Sequence, residues 1–274
     1  RGSVLHPFPL AAVAQSAGLP TWPTAHVGYH PPAGDTRAAT VWPIGWPVLL
    51  APFYLLGGEA GALWAAPLFA LLAGLLTCQL VPLLWPHLSR GEARLVGGLA
   101  ALLTWTSHEM VLRTLVPMAD AAAQAFAVGM LLCLALARQR DGLRWSGLAG
   151  ASLAMAYLVR HPLLPLGLAA LPLFALAPWS KWRKAYHLAA FGGTALLGAI
   201  PDLLYHARVF GSPLIAESPE WFLMSWRNIG PGLLSMLRDG LLRPNEFGYL
   251  LPFVLYGVWC SWRDAEDKGL SAML

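Results

Sequence analysis

The stretch "LVPMADAAAQAFAVGMLLCLALARQR" (115–140) decides the fold. Asp120 is the only charge between Arg113 and Arg138, and the residues after it run nearly unbroken apolar to Ala137. A membrane-spanning helix needs about 20 apolar residues, and 119–137 supplies such a run. An aspartate at its start suits a helix N-terminus, where it caps free N–H groups and meets the positive end of the helix dipole. The same carboxylate at a membrane interface is also a candidate for binding a metal or orienting a polar acceptor.

Working outward, the whole chain has this character. Of 274 residues, 57% are hydrophobic and 12% are charged, whereas soluble domains carry about 25% charged residues. The pattern predicts an all-α, polytopic membrane bundle of about seven spans, near 60–85, 93–110, 119–137, 145–160, 162–179, 187–205 and 247–262. No soluble domain boundary is visible. Residues 1–274 read as a single transmembrane domain: an outer segment 1–59, six spans over 60–205, an outer loop 206–246 and a last span 247–262. The proline-broken 41–58 is too short to span and reads as interfacial or re-entrant. The loop 206–246 reads as short interfacial helices with aromatics at headgroup depth.

Orientation follows from the basic residues. All the lysines fall in one set of short connections, together with Arg90, Arg94, Arg138, Arg140, Arg144, Arg183 and Arg263. The positive-inside rule makes those connections cytoplasmic. The opposite, non-cytoplasmic face collects Asp35, Glu59, Glu109, Asp120, Asp202, Glu217, Glu220, Asp239 and Glu246, so the chemistry is expected there. The net charge of +4, without basic clusters interleaved with aromatics, argues against nucleic acid. Cys78, Cys133 and Cys260 lie in apolar runs without metal-ligand or disulfide spacing and read as small hydrophobes. No Walker loop, GxSxG, HExxH or dinucleotide-binding turn is present.

Several outer-face residues carry candidate chemistry. Arg160 and His161, in "YLVRHPLL" (157–164), join two spans. A guanidinium there either snorkels to headgroups or forks two phosphate oxygens. Arg208 and Arg227 offer further phosphate contacts. Glu217 and Glu220 could accept sugar hydroxyl bonds, with Trp221 as a stacking face. Tyr29, His30 and Asp35 in "GYHPPAGDT" (28–36) could bind a sugar or a metal. Each of these has a plain alternative as a solvated loop residue.

Four stretches in order resemble one family: "WPIGWPVLLAPFYLLGG" (42–58), "LVPMADAAAQAFAVGMLLCLALA" (115–137), "SLAMAYLVRHPLLPL" (152–166) and "ARVFGSPL" (207–214). They look like the GT-C glycosyltransferases that use polyprenyl-phosphate sugars, including bacterial relatives of the protein mannosyltransferases and the lipid A aminoarabinose transferases. The resemblance implies a cell-envelope enzyme of the bacterial inner membrane. It would transfer a sugar, with inversion, from a polyprenyl-phosphate donor to a protein, lipid or glycan at the non-cytoplasmic side. It implies Asp120 as the second-loop acid and Arg160 as the helix-end arginine, with Arg208 also placed on the donor phosphate. No cofactor is required by the reading, although a divalent metal is possible. The family's first-loop acid, which closely follows the first span, is expected upstream of Arg1, and Asp35, in the same loop but off the expected position, is a weak candidate for it. The alternative is a non-enzymatic transporter or flippase subunit, for which Asp202, beside Pro201, is the best-fitting residue.

Overall fold

The computed structural model describes residues 6–7, 9–19, 29–30, 37–40, 42–86, 88–116, 118–213, 226–235, 237–238 and 255. The chain divides into two compact units, one of residues 1–44 with 200–235, the other of 45–199 with 236–274.

In the first unit, β1 (His6–Pro7), β2 (Tyr29–His30) and β3 (Arg37–Thr40) form a small antiparallel sheet ordered β1-β3-β2, an addition to an otherwise helical structure. His6 pairs with Ala38 and Tyr29 with Thr40. Helix α1 (Pro9–Ser16) follows β1. The Tyr205 hydroxyl donates to the Thr40 carbonyl at 2.7 Å, tying the end of a long helix to β3.

The second unit is a helical bundle. It comprises α2 (Gly45–Leu84), α3 (Arg90–Thr106), α4 (His108–Leu115), α5 (Asp120–Arg140) and α6 (Leu143–Val159). A 3-10 helix (His161–Ala169), α7 (Ala170–Ala175) and α8 (Lys181–Phe210) follow, and α8 runs on into the first unit, where α9 (Trp226–Ser235) also lies. Helix α2 is broken at Gly57 and Gly58. Gly58 has φ +60 and ψ −146, a region open essentially to glycine. The expected interfacial or re-entrant segment is therefore a short helix ahead of this break.

Small residues let the helices approach closely, as membrane bundles require. Ala70 and Ala73 of α2 pack on Ala121 and Ala125 of α5, while Ala122 and Ala123 pack with Val159 of α6. A larger cluster joins Leu80, Met130, Leu134, Leu153, Leu173, Phe174 and Phe191. Helix α8 seats on α6 at Gly150, where an added Cβ would collide with the Phe191 carbonyl and the Thr194 hydroxyl. The Trp105 indole N–H donates to the Ala70 carbonyl at 2.9 Å and locks α3 to α2.

Among the described residues, α2, α5 and α8 are long and apolar enough to cross a membrane. A fourth crossing arises if α3 and α4, bent by 55° at Ser107, count together. Outward-facing leucines match this reading, with Leu56 90% and Leu196 70% exposed. Such apolar exteriors need a bilayer to cover them, and the chain is an integral membrane protein. The expected single span 93–110 is the bent α3–α4 pair, because Ser107 takes an extended backbone (φ −61, ψ 137) and caps the new helix by accepting from the Met110 N–H. The expected span 162–179 is not one α-helix. Pro162 and Pro165 lack the N–H that an α-helix uses, so the 3-10 helix takes their place before the short α7. Of the expected span 247–262 only Leu255 is among the described residues, and Asp35, Glu217, Glu220 and Trp221 lie outside them.

Candidate functional site

The site is built where α6 ends and α5 begins. Pro162 cannot donate to the Leu158 carbonyl and its ring would clash there, so α6 stops at Val159. Arg160 turns extended (φ −153, ψ 101), while its N–H still bonds the Ala156 carbonyl at 2.8 Å. Its guanidinium Nη1 forms an ion pair with Oδ1 of Asp120.

Asp120 is the first residue of α5, with the N-cap position held by Ala119 and no side-chain capping bond. The expectation that Asp120 caps the helix is therefore corrected. Its carboxylate keeps the favourable position at the helix N-terminus, but its specific partner is Arg160.

A cavity of about 510 Å³ opens beside this pair, within the second unit. Down α5 it is lined by Asp120, Gln124, Ala127, Val128 and Leu131. Their spacing of three and four residues puts them on one helix face. The cavity is thus polar at the Asp120 end and apolar further down, where Leu163 and Leu166 of the 3-10 helix complete the wall. Glu109 and Arg113 of α4 also line it. They are paired one helical turn apart, Arg113 Nε donating to Glu109 Oε2 at 3.2 Å. Arg113 Nη1 lies 3.5 Å from the Met118 sulfur, near the start of α5.

The lining is amphiphilic. Two guanidiniums can fork phosphate oxygens, two carboxylates and an amide can take hydroxyl groups, and the apolar wall suits a hydrocarbon chain. Of the residues named from sequence, Asp120 and Arg160 come together here. His161 follows Arg160 but does not line the cavity; its ring lies against Tyr157, with centroids 4.8 Å apart. Arg208 is exposed in the last turn of α8, in the first unit, and is not a lining residue. Tyr29 and His30 form β2, and Arg227 lies in α9. Glu109, Arg113 and Gln124 are the lining polar residues that sequence reasoning did not single out. The available signals were the i, i+4 spacing of Glu109 and Arg113 and the Ser107 cap ahead of them.

A family model described as dolichyl-phosphate-mannose-protein mannosyltransferase matches residues 42–205, more than half of the chain and every residue that lines the cavity. The chain belongs to that family. Membership makes it a membrane glycosyltransferase of the GT-C type and sets aside the transporter alternative. No curated protein and no solved structure matches the chain.

Proposed function

We propose that this glycosyltransferase moves a sugar from a polyprenyl-phosphate donor to an acceptor at the non-cytoplasmic face of the bacterial inner membrane, inverting the anomeric carbon. The Asp120–Arg160 pair at the polar end of an amphiphilic cavity is the observation that carries this reading. The apolar wall takes the first part of the lipid, and Arg160 takes the phosphate. A guanidinium has five N–H donors, so Arg160 can hold Asp120 and a phosphate oxygen together.

In the reaction the acceptor hydroxyl or amine attacks the anomeric carbon from the side opposite the phosphate. A new bond forms to the acceptor, the bond to the phosphate oxygen breaks, and the lipid phosphate leaves with the electron pair. The acceptor's proton passes to a carboxylate base, and Asp120 orients the acceptor. Arg160 offsets the negative charge that grows on the leaving phosphate. A divalent metal at Asp120 fits less well, because it would sit against the Arg160 guanidinium and the two positive charges would repel. The acceptor is a protein, lipid or glycan, with the hexose or pentose left open by this geometry.

The test is sugar transfer from a polyprenyl-phosphate donor by the intact protein. Asp120→Asn and Arg160→Ala should each abolish most turnover. Wild-type rates in both variants would sink the reading.

A further inference from the structure

We infer that Arg113 is a second phosphate-holding residue of this site, kept in reserve by Glu109 until an anionic lipid displaces that carboxylate. The inference rests on the proposed polyprenyl-phosphate donor and adds to it the residue that answers the phosphate charge.

Formal charge in the cavity decides the point. Asp120 and Glu109 contribute two negative charges, and Arg113 and Arg160 two positive ones, each carboxylate bound to one arginine. A phosphate entering a site with zero net charge must compete with a carboxylate for a guanidinium. The two pairs are unequal competitors. The Asp120 side chain is only 17% exposed, with Arg160 at 52%, and it starts a helix, so the helix dipole and the close guanidinium hold this carboxylate where it is. The Glu109–Arg113 side chains are 50% and 41% exposed. An exposed pair of this kind is weakly held, and a carboxylate released from it returns to water at little cost.

Geometry keeps Arg113 ready for the exchange. The 55° bend at Ser107 turns α4 away from the line of α3, and both members of the pair line the cavity. The Arg113–Met118 contact holds the guanidinium near the start of α5 without neutralising it. When the sugar departs, the phosphate gains a negative charge, and a freed Arg113 is placed to meet it. Glu109 is then an unbound carboxylate beside the polar end of the cavity.

The experiment measures binding of farnesyl phosphate, a short isoprenyl phosphate, to the purified intact protein. Arg113→Gln should weaken binding roughly tenfold, as loss of a charge-assisted contact does, and Arg113→Lys should restore part of it. Glu109→Gln should do the opposite and tighten binding several-fold, because it removes the competing carboxylate. In an Arg113→Gln background, Glu109→Gln should tighten binding by less than it does beside Arg113, because only the carboxylate's repulsion of the phosphate is then relieved. If Glu109→Gln instead weakens binding as Arg113→Gln does, the pair is scaffolding and the inference fails. Binding that ignores residues 109 and 113 but is lost in Arg160→Ala overturns this inference and leaves the donor reading standing. No binding by the wild-type protein overturns both.

Discussion

Arg160, where α6 ends, is ion-paired to Asp120, where α5 begins, across 40 positions of sequence. The pair exists because α5 and α6 form an antiparallel hairpin that turns tightly at Asp141 and Gly142. That turn, with Asp141 in the left-handed region at φ 48, returns the far end of α6 to the near end of α5. An ion pair at a helix start and a helix stop joins two backbone ends into one site.

The fork of the guanidinium should matter beyond its charge. Arg160→Lys keeps the positive charge but loses planar, two-point contact to phosphate and carboxylate. Donor KM should rise by roughly tenfold, the loss of one charge-assisted bond, with a smaller change in kcat. Steady-state kinetics with a short-chain donor would show this, and an unchanged KM would remove Arg160 from the phosphate.

Pro162 should be needed for activity but not for stability. Pro162→Ala gives position 162 an N–H that can reach the Leu158 carbonyl, so α6 can run on and carry Arg160 away from Asp120. Thermal unfolding in detergent should stay unchanged or improve. Sugar transfer should fall by roughly 100-fold, the size expected for misplaced catalytic groups. A variant with normal turnover would separate the helix stop from the site.

The seat of α8 on α6 makes a stability prediction remote from the site. The Thr194 hydroxyl donates to the Gly147 carbonyl at 2.8 Å, and Gly150 leaves no room for a Cβ. Gly150→Val should force the helices apart and cost about 1–3 kcal/mol, as overpacking does. The melting temperature of the purified protein reads this directly. Gly192, whose Cβ position meets nothing within 4 Å, is the control.

A second remote cluster is polar. His187 is fully buried and stacked on Trp179 at 3.9 Å, with Ser146 Oγ 2.7 Å from its Nδ1 and Asp141 Oδ1 3.2 Å from its Nε2. Arg183 Nε donates to the same Asp141 oxygen at 2.7 Å. His187→Ala leaves the buried Ser146 hydroxyl without this partner and opens a cavity, which together should cost about 2–4 kcal/mol. Donor KM should not move, because none of these residues lines the cavity. A shift in KM without loss of stability would contradict a purely structural role.

Much of this protein is legible without coordinates. The expected span 119–137 is α5 at Asp120–Arg140. The expected span 145–160 is the helix α6 at Leu143–Val159, which is not among the three or four helices long and apolar enough to cross a membrane, so the count of seven spans is not reached among the described residues. Length, hydropathy and flanking arginines suffice for these because each is a local property of a helix in a bilayer. Asp120 and Arg160 were both visible as charges at helix ends, and ordered motifs pointed to the family. The bend at Ser107 was not legible, since 93–110 has the composition of a single apolar helix, and with it Glu109 and Arg113 were passed over as helix-end charges. The 3-10 path after Arg160 is not legible as a form, although Pro165 and Pro172 mark the expected span 162–179 as irregular.

The sequence by itself determined that this chain lives in a bilayer and that its charges gather towards helix ends, because burying charge in hydrocarbon is costly. Which charges meet was decided only by the tertiary structure. The distance between Asp120 and Arg160 depends on the turn at Asp141 and the stop at Pro162. The place of Arg113 in the same cavity depends on a single extended residue at Ser107. Ion pairs act over a few ångströms, and helix spacing sets those ångströms through small side chains packed at Ala122, Ala123 and Val159, contacts that no periodicity in the sequence records.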